Sequence, residues 1–266
     1  MMNYLRVSSA LSLALFTGTL AYGQNPNRHT VVNCVKVKEG KNAEYTAYLR
    51  DVTKLYKSRV ESGEVSAYII RQAVAPAGRS ARCDYHTVTA YTGFPPETGA
   101  AGKLDADLKR AGISMTAAEF TAKRDSLADL VGREFWRSRE RVGAGSQKGG
   151  YIRINYYKVK PSMMTDYLGL EATGWKQVAE EMNKQNAGMS WSLSSLVMPG
   201  GANVAYNAMT VDGFPNWEAL GSGTPARTIW NKVHPERDMS AYMDRIAAVS
   251  DRPQIEVMRV IEAIRK

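Results

Sequence analysis

The chain has 266 residues, 44% of them hydrophobic and 23% charged, a balance that excludes a disordered or fibrous chain and fits a globular one. Its formal net charge is +9, but Lys and Arg are scattered without a long basic run or stripe, so the charge describes a solvated surface and no nucleic-acid partner is expected. No H-E-x-x-H, C-x-x-C or paired Cys/His spacing occurs, so no metal site is expected, and three histidines leave little material for His-based proton transfer.

Residues 1–23 read as a secretory signal peptide. Met1 to Ser9 carries one cation, Arg6, an apolar run follows from Ala10 to about Leu20, and Ala21-Tyr22-Gly23 supplies small residues at the −3 and −1 positions. That run is too short for a membrane-spanning helix, which needs about 20 residues, and no later stretch qualifies. The expected product is a periplasmic or secreted chain beginning at Gln24.

A first unit is expected over residues 31–141. Val31 to Val37 is a β-rich run, and Asn42 then sits near the cap of a helix. On that helix Tyr45, Tyr48, Leu49, Val52, Leu55, Tyr56 and Val60 recur at the spacing of one apolar face, and Gly63 closes it. Val65 to Val74 and Cys83 to Tyr91 form two further antiparallel strands around Pro76-Ala77-Gly78. Gly93-Phe94-Pro95-Pro96 breaks the sheet, a helix is clearest from Ala117 to Val131, and Glu134 to Glu140 is a fourth strand. An oxidising compartment permits a disulfide between Cys34 and Cys83. The second half has no matching cysteines, however, and this favours two free, buried thiols.

Residues 142–150 are Gly-rich and read as a linker. The second unit, residues 151–266, repeats the first. Tyr151 to Val159 is a strand, and the helix that follows Pro161-Ser162 has Leu168, Trp175, Val178, Ala179 and Met182 on its apolar face. Met189 to Met198 and Val204 to Val211 are a strand pair, Phe214 to Val249 is helical with interruptions, and Ile255 to Ile261 is the last strand. Asn33, Lys36, Val37, Lys38 and Tyr45 return as Asn155, Lys158, Val159, Lys160 and Tyr167, each 122 positions on. Gly93-Phe94-Pro95 returns as Gly213-Phe214-Pro215, and Glu134-x-x-Arg137 as Glu256-x-x-Arg259. A period of this length means duplicated domains.

Each unit is therefore β-α-β-β-α-β. The crossover rule places its third strand between its first and second, giving a four-stranded antiparallel sheet with helices on one face. Two copies would pack those sheets face to face. This pattern, the V-K-V-K before the first helix and the G-F-P break resemble the dimeric α+β-barrel (ferredoxin-like) superfamily, including antibiotic-biosynthesis monooxygenase-like and NIPSNAP-like proteins. The resemblance spans both halves and implies an α+β class with an intramolecular barrel. A monomer with an internal pseudo-two-fold is then the expectation, a homodimer the alternative.

Strand alternation puts Arg153, Asn155 and Tyr157 on one face and Ile152, Ile154 and Tyr156 on the other. The expectation is that Asn33, Val35 and the Arg153 set face the space between the sheets, with Val32 and Cys34 under the helices. Candidate ligand-binding residues are then Asn33, Asn155, Arg153 and Tyr157, with Trp191 and Trp136 as walls and Glu134 and Glu256 as polar anchors. The leading expectation is a small, partly apolar ligand between the sheets, with no cofactor. A non-catalytic interaction module is a second reading. The resemblance also implies a third, a cofactor-independent or haem-related oxygenase that uses an Asn, a Trp and a His. By residue type these match Asn155, Trp230 and His234.

Overall fold

The computed structural model describes residues 28–97, 102–145, 147–186, 188–201, 203–222 and 226–266. The expected signal peptide, 1–23, lies outside these residues.

In the first unit, β1 (Arg28–Val37) leads into α1 (Asn42–Glu61), then β2 (Ala67–Ala75), β3 (Tyr85–Thr92), α2 (Lys103–Arg110), α3 (Ala117–Leu127) and β4 (Ala128–Val142). The second unit has β5 (Tyr151–Val159), a helix in two pieces, α4 (Met164–Thr173) and α5 (Trp175–Gln185), then β6 (Ser190–Met198) and β7 (Ala208–Phe214). Three helices, α6 (Trp217–Gly221), α7 (Ala226–Val233) and α8 (Met239–Val249), precede β8 (Ser250–Arg265). The expected apolar face of α1 is buried at Tyr45, Tyr48, Leu49, Val52, Leu55 and Val60. Two expectations shift. The helix that starts at Ala117 stops at Leu127, because Ala128 already pairs with Val37 and sheet pairing overrides the local helical pattern. The long helix of the second unit breaks at Gly174, where a Cβ would lie 2.4 Å from the Tyr242 ring.

All eight strands form one closed antiparallel barrel in the order β1-β3-β2-β8-β5-β7-β6-β4. β3 lies between β1 and β2, as the crossover rule requires, and β7 between β5 and β6. The two sheets also join edge to edge. β4 pairs with β1 along its first part (Val37↔Ala128 to His29↔Arg137) and with β6 along its last (Phe135↔Met198 to Val142↔Trp191). β8 repeats this with β5 and β2. Closure leaves no barrel edge open.

Cys34 and Cys83 form a disulfide with a Cα–Cα distance of 5.3 Å, correcting the expectation of free thiols. The pairing is local to the first unit, so a lack of counterparts in the second has no bearing on it.

The core has three layers. One packs α1, α2 and α3 on the first sheet, a second packs the later helices on the second sheet, and a third fills the barrel with Val32, Val88, Trp136, Ile152, Ile154, Tyr156, Met258 and Val260 among others. The alternation holds, but the faces are exchanged. Ile152, Ile154, Tyr156 and Val32 point into the barrel, while Val35 and Tyr157 pack under the helices. The physical reason is that both faces of each sheet are covered. Polarity then separates the two sets of residues without telling which cover is which.

Candidate functional site

Between the first sheet and its helices lies a cavity of about 400 Å³. Tyr45, Tyr48, Leu49 and Val52 from α1 and Phe120 from α3 form one wall, and Val35, Tyr68 and Thr87 from the sheet form the floor. The tyrosines belong to a chain of rings: Tyr45 to Tyr48 at 6.0 Å, Tyr48 to Phe120 at 5.0 Å, and Tyr56 stacked on Tyr68 at 3.7 Å. At the polar end Asn33 donates from Nδ2 to Thr87 Oγ1 (3.2 Å) and accepts from Arg133 Nε (2.9 Å). Burial raises the hydroxyl pKa of Tyr45, Tyr48 and Tyr68, and that of Tyr91 to about 12. These phenols stay protonated and can donate hydrogen bonds. Among the described residues that line the cavity there is no His, Cys or Met. Arg59, at the rim, is committed to Asp107 by two hydrogen bonds of 2.9 and 2.7 Å. The arrangement suits holding a flat, partly apolar molecule with a hydrogen-bonding edge toward Asn33 and Arg133.

At the corresponding place in the second unit the described residues pack a dense cluster. Trp230, Tyr167 and Val178 are fully buried there with Trp191 and Tyr242. Trp230 packs on Tyr242 with ring centroids 4.5 Å apart. Asn155 keeps the counterpart of the first-unit dyad, donating to Thr210 Oγ1 (3.2 Å), but also donates to Asp212 Oδ2 (3.0 Å). Asp212 in turn accepts from Arg153 Nε at 3.1 Å. Burial raises the Asp212 carboxyl, and burial also pushes Glu171 up to about 8.

No protein-family model matches the sequence, and no curated protein matches it. Solved structures do. A candidate monooxygenase from Lactobacillus acidophilus NCFM superimposes with a TM-score of 0.58 at 10% identity, covering 90% of this chain and 96% of its own. A second, from Fusobacterium nucleatum, superimposes at 0.56 and 12% identity, over 90% and 95%. The fold is that of the dimeric α+β barrels.

In this α+β barrel the sequence-predicted residues separate into three places. Asn33 alone lines the first-unit cavity. Asn155, Arg153, Tyr157 and Trp191 lie on the helix-covered side of the second sheet, against the expectation that they face the barrel. Glu134, Trp136 and Glu256 do point into the barrel, near one pole. Glu134 accepts from Trp136 Nε1 (3.1 Å), Tyr206 Oη (2.5 Å) and Arg82 Nη1 (3.1 Å), and Glu256 accepts from Tyr156 Oη (3.2 Å) and Gln254 Nε2 (2.6 Å). Those carboxylates brace the barrel and are spent on it.

Of the Asn155, Trp230 and His234 set, Trp230 and His234 pack with ring centroids 4.4 Å apart. His234 is buried with Nε2 3.1 Å from the Gly174 carbonyl, Trp230 donates to the Arg237 carbonyl at 2.7 Å, and Asn155 is held by Thr210 and Asp212. His234 braces the break between α4 and α5, consistent with the Pro235 that follows it. Cys34, Cys83 and His86 bring three ligand-type atoms within 4.8 Å of one another, but the two sulfurs are bonded to each other. Haem does not fit the first-unit cavity. Among the described lining residues, tyrosines are the one type that commonly holds haem iron, and burial disfavours the phenolate such a ligand requires.

The cavity tyrosines were read from the sequence as core. A helix face that uses tyrosine at three positions where leucine would pack as well carried the missed signal.

Proposed function

We propose that the protein binds a small, partly apolar, aromatic molecule in the tyrosine-lined cavity of its first unit. The contrast between the two units carries this reading. Among the described residues, the first copy of the duplicated framework holds an open, aromatic space, where the corresponding layer of the second packs Trp230, Tyr167 and Tyr242. Closely packed interiors rarely leave voids of this size, so an open cavity with a polar end is the ordinary form of a ligand site. The ligand lies between sheet and helices, not between the two sheets, whose shared interior is packed at its centre.

We also propose that the chain is exported and that residues 1–23 are removed. The Cys34–Cys83 disulfide supports this, because such bonds persist in oxidising compartments. Intact-mass measurement of protein from the producing cell should give a chain beginning at Gln24; a chain retaining Met1 would contradict it.

The monooxygenase-like reading rests on two candidate monooxygenases that share the fold at 10% and 12% identity. Fold alone does not carry chemistry. Among the described lining residues there is no His or Cys, and the open aromatic space itself supports binding.

Titration with 2-naphthol, a neutral aromatic alcohol, tests the binding reading. The wild-type protein should saturate at one equivalent. Val52→Trp, which fills the cavity, should weaken binding by about tenfold or more, and Trp230→Phe in the second unit should leave it unchanged. Equal binding by all three proteins, or none by the wild type, would overturn it.

A further inference from the structure

The barrel's polar residues are not evenly distributed along its axis. At one pole the inward carboxylates Glu134 and Glu256 are satisfied by Arg82, Tyr206, Tyr156 and Gln254. The middle is closed by Trp136, Ile152, Ile154, Met258 and Val260. The opposite pole, formed by the start of β1 and the ends of β3, β4 and β8, opens into a mouth of about 700 Å³. Arg28, Arg71, Arg141, Arg265 and Lys266 line it, and among the described lining residues there is no Asp or Glu.

Arg71 is 8% exposed, and its Nε is buried with no hydrogen-bond partner; the Nε of Arg28 is in the same position. A buried guanidinium whose Nε has no partner loses the hydration of that N–H without replacement. Arg141 and Arg265 stand side by side. A Cβ on Gly145 would lie 2.6 Å from Nη2 of the first and 3.3 Å from Nη2 of the second. Arg141 gives one hydrogen bond to the Ala144 carbonyl, which offsets none of its charge. Burial pulls the Arg71 pKa down to about 10 and the repulsion of Arg265 adds to this, while burial and then Arg265 and Arg28 lower that of Arg141. Were Arg28, Arg71 and Arg141 purely structural, the inward carboxylates would be expected beside them. They sit at the far pole instead.

We propose that this mouth binds a small amphipathic organic anion. Arg71, Arg141 and Arg265 hold its carboxylate or phosphate group, and Val32, Val88 and Met209 receive its apolar body. Guanidinium forks match planar or tetrahedral oxyanions through paired, charge-assisted hydrogen bonds, and the apolar floor selects an organic anion over an inorganic one. The site is separate from the first-unit cavity and does not depend on it.

The test is calorimetric titration at low salt, in a buffer free of phosphate and carboxylate, with hexanoate, hexyl phosphate and hexanol as probes, alongside thermal denaturation. One or both anions should bind and raise Tm while hexanol does neither, and the tighter anion names the head group. Added salt should weaken the binding. Arg71→Met should raise Tm without ligand, because it removes a desolvated charge, and should weaken the anion by about tenfold or more. Arg265→Gln, at a half-exposed position, should weaken the same anion, and it answers the question if Arg71→Met does not fold. Arg50→Gln, at an exposed position on α1 outside both cavities, should leave anion binding unchanged. Equal binding of hexanol, no anion binding, or anion binding unaltered in both Arg71→Met and Arg265→Gln would overturn the proposal.

Discussion

At equivalent positions a few side chains decide which unit is open. At the 122-residue spacing that relates Asn33 to Asn155, Leu49 is answered by Glu171, Leu108 by Trp230 and Phe120 by Tyr242. The second unit thus gains bulk at Leu108 and a buried carboxyl at Leu49. Trp230→Leu should cost about 3 kcal/mol or more in urea denaturation, as large-to-small core substitutions do. A near-zero change would mean that Trp230 is not packed as described. Two buried groups make opposing contributions to pH dependence. Burial lifts Glu171 from 4.5 to about 8, so its contribution is complete below pH 4.5 and is lost as pH rises to 8. Burial, with Arg71 and Arg82 adding to it, lowers His86 from 6.5 to about 3. Its contribution is present above pH 6.5 and is lost as pH falls toward 3. Between 6.5 and 8 the His86 contribution is constant while Glu171 loses its own, with the raised Asp212 and Glu256 carboxyls acting in the same direction, so Tm should fall with rising pH there, and Glu171→Gln should flatten that fall. Identical slopes for variant and wild type would show that Glu171 is not held neutral. Residue alternation was legible in the sequence, but which set faced the barrel was not, because Asn33 and Val32 each meet a covered face.

The long strands β4 and β8 are the seams of the molecule. Each pairs with its own unit and then with the other, and the repeated Glu134-x-x-Arg137 and Glu256-x-x-Arg259 fall along the changeover. The repeated lysines also serve the scaffold. Lys36 Nζ ties the loop between β2 and β3 through the Gly78 and Ala81 carbonyls (both 2.9 Å) and Asp84 (3.0 Å), and Lys158 Nζ holds the Val204 carbonyl in the matching loop. Repetition in the sequence therefore marked architecture first, and Asn33 and Tyr45 are its extensions into the cavity. The Cys34–Cys83 bond ties β1 to the loop just before β3 across 49 positions. Closing a loop of that length restricts the unfolded chain by about 4 kcal/mol in the chain-entropy account. Cys34→Ala with Cys83→Ala should lower stability by a comparable amount, measured by denaturant titration, with the fold retained. A variant as stable as the wild type would mean that the bond does not form. Gly174→Ala should destabilise by about 1–3 kcal/mol, because its methyl would meet the Tyr242 ring at 2.4 Å.

For the whole molecule, the barrel uses every strand edge within one chain. Light scattering on the purified protein should therefore report a monomer, and a stable dimer would point to an interface outside the barrel edges. The duplicated β-α-β-β-α-β plan and the strand order within each unit were legible from the V-K-V-K and G-F-P repeats and from strand periodicity. The edge-to-edge closure was not, because β4 and β8 extend beyond their periodic stretches and only the opposite unit reveals why. Nor was the asymmetry of the two units, which depends on how Trp230 and the tyrosines of α1 fill space in three dimensions. That asymmetry is the central claim, and a crystal structure of the protein soaked with 2-naphthol tests it most directly. Ligand density against Tyr45, Tyr48 and Phe120, with Trp230 and Tyr242 closing the second unit, is the predicted result. A first-unit cavity closed by its own side chains, or ligand density in the second unit alone, would contradict it.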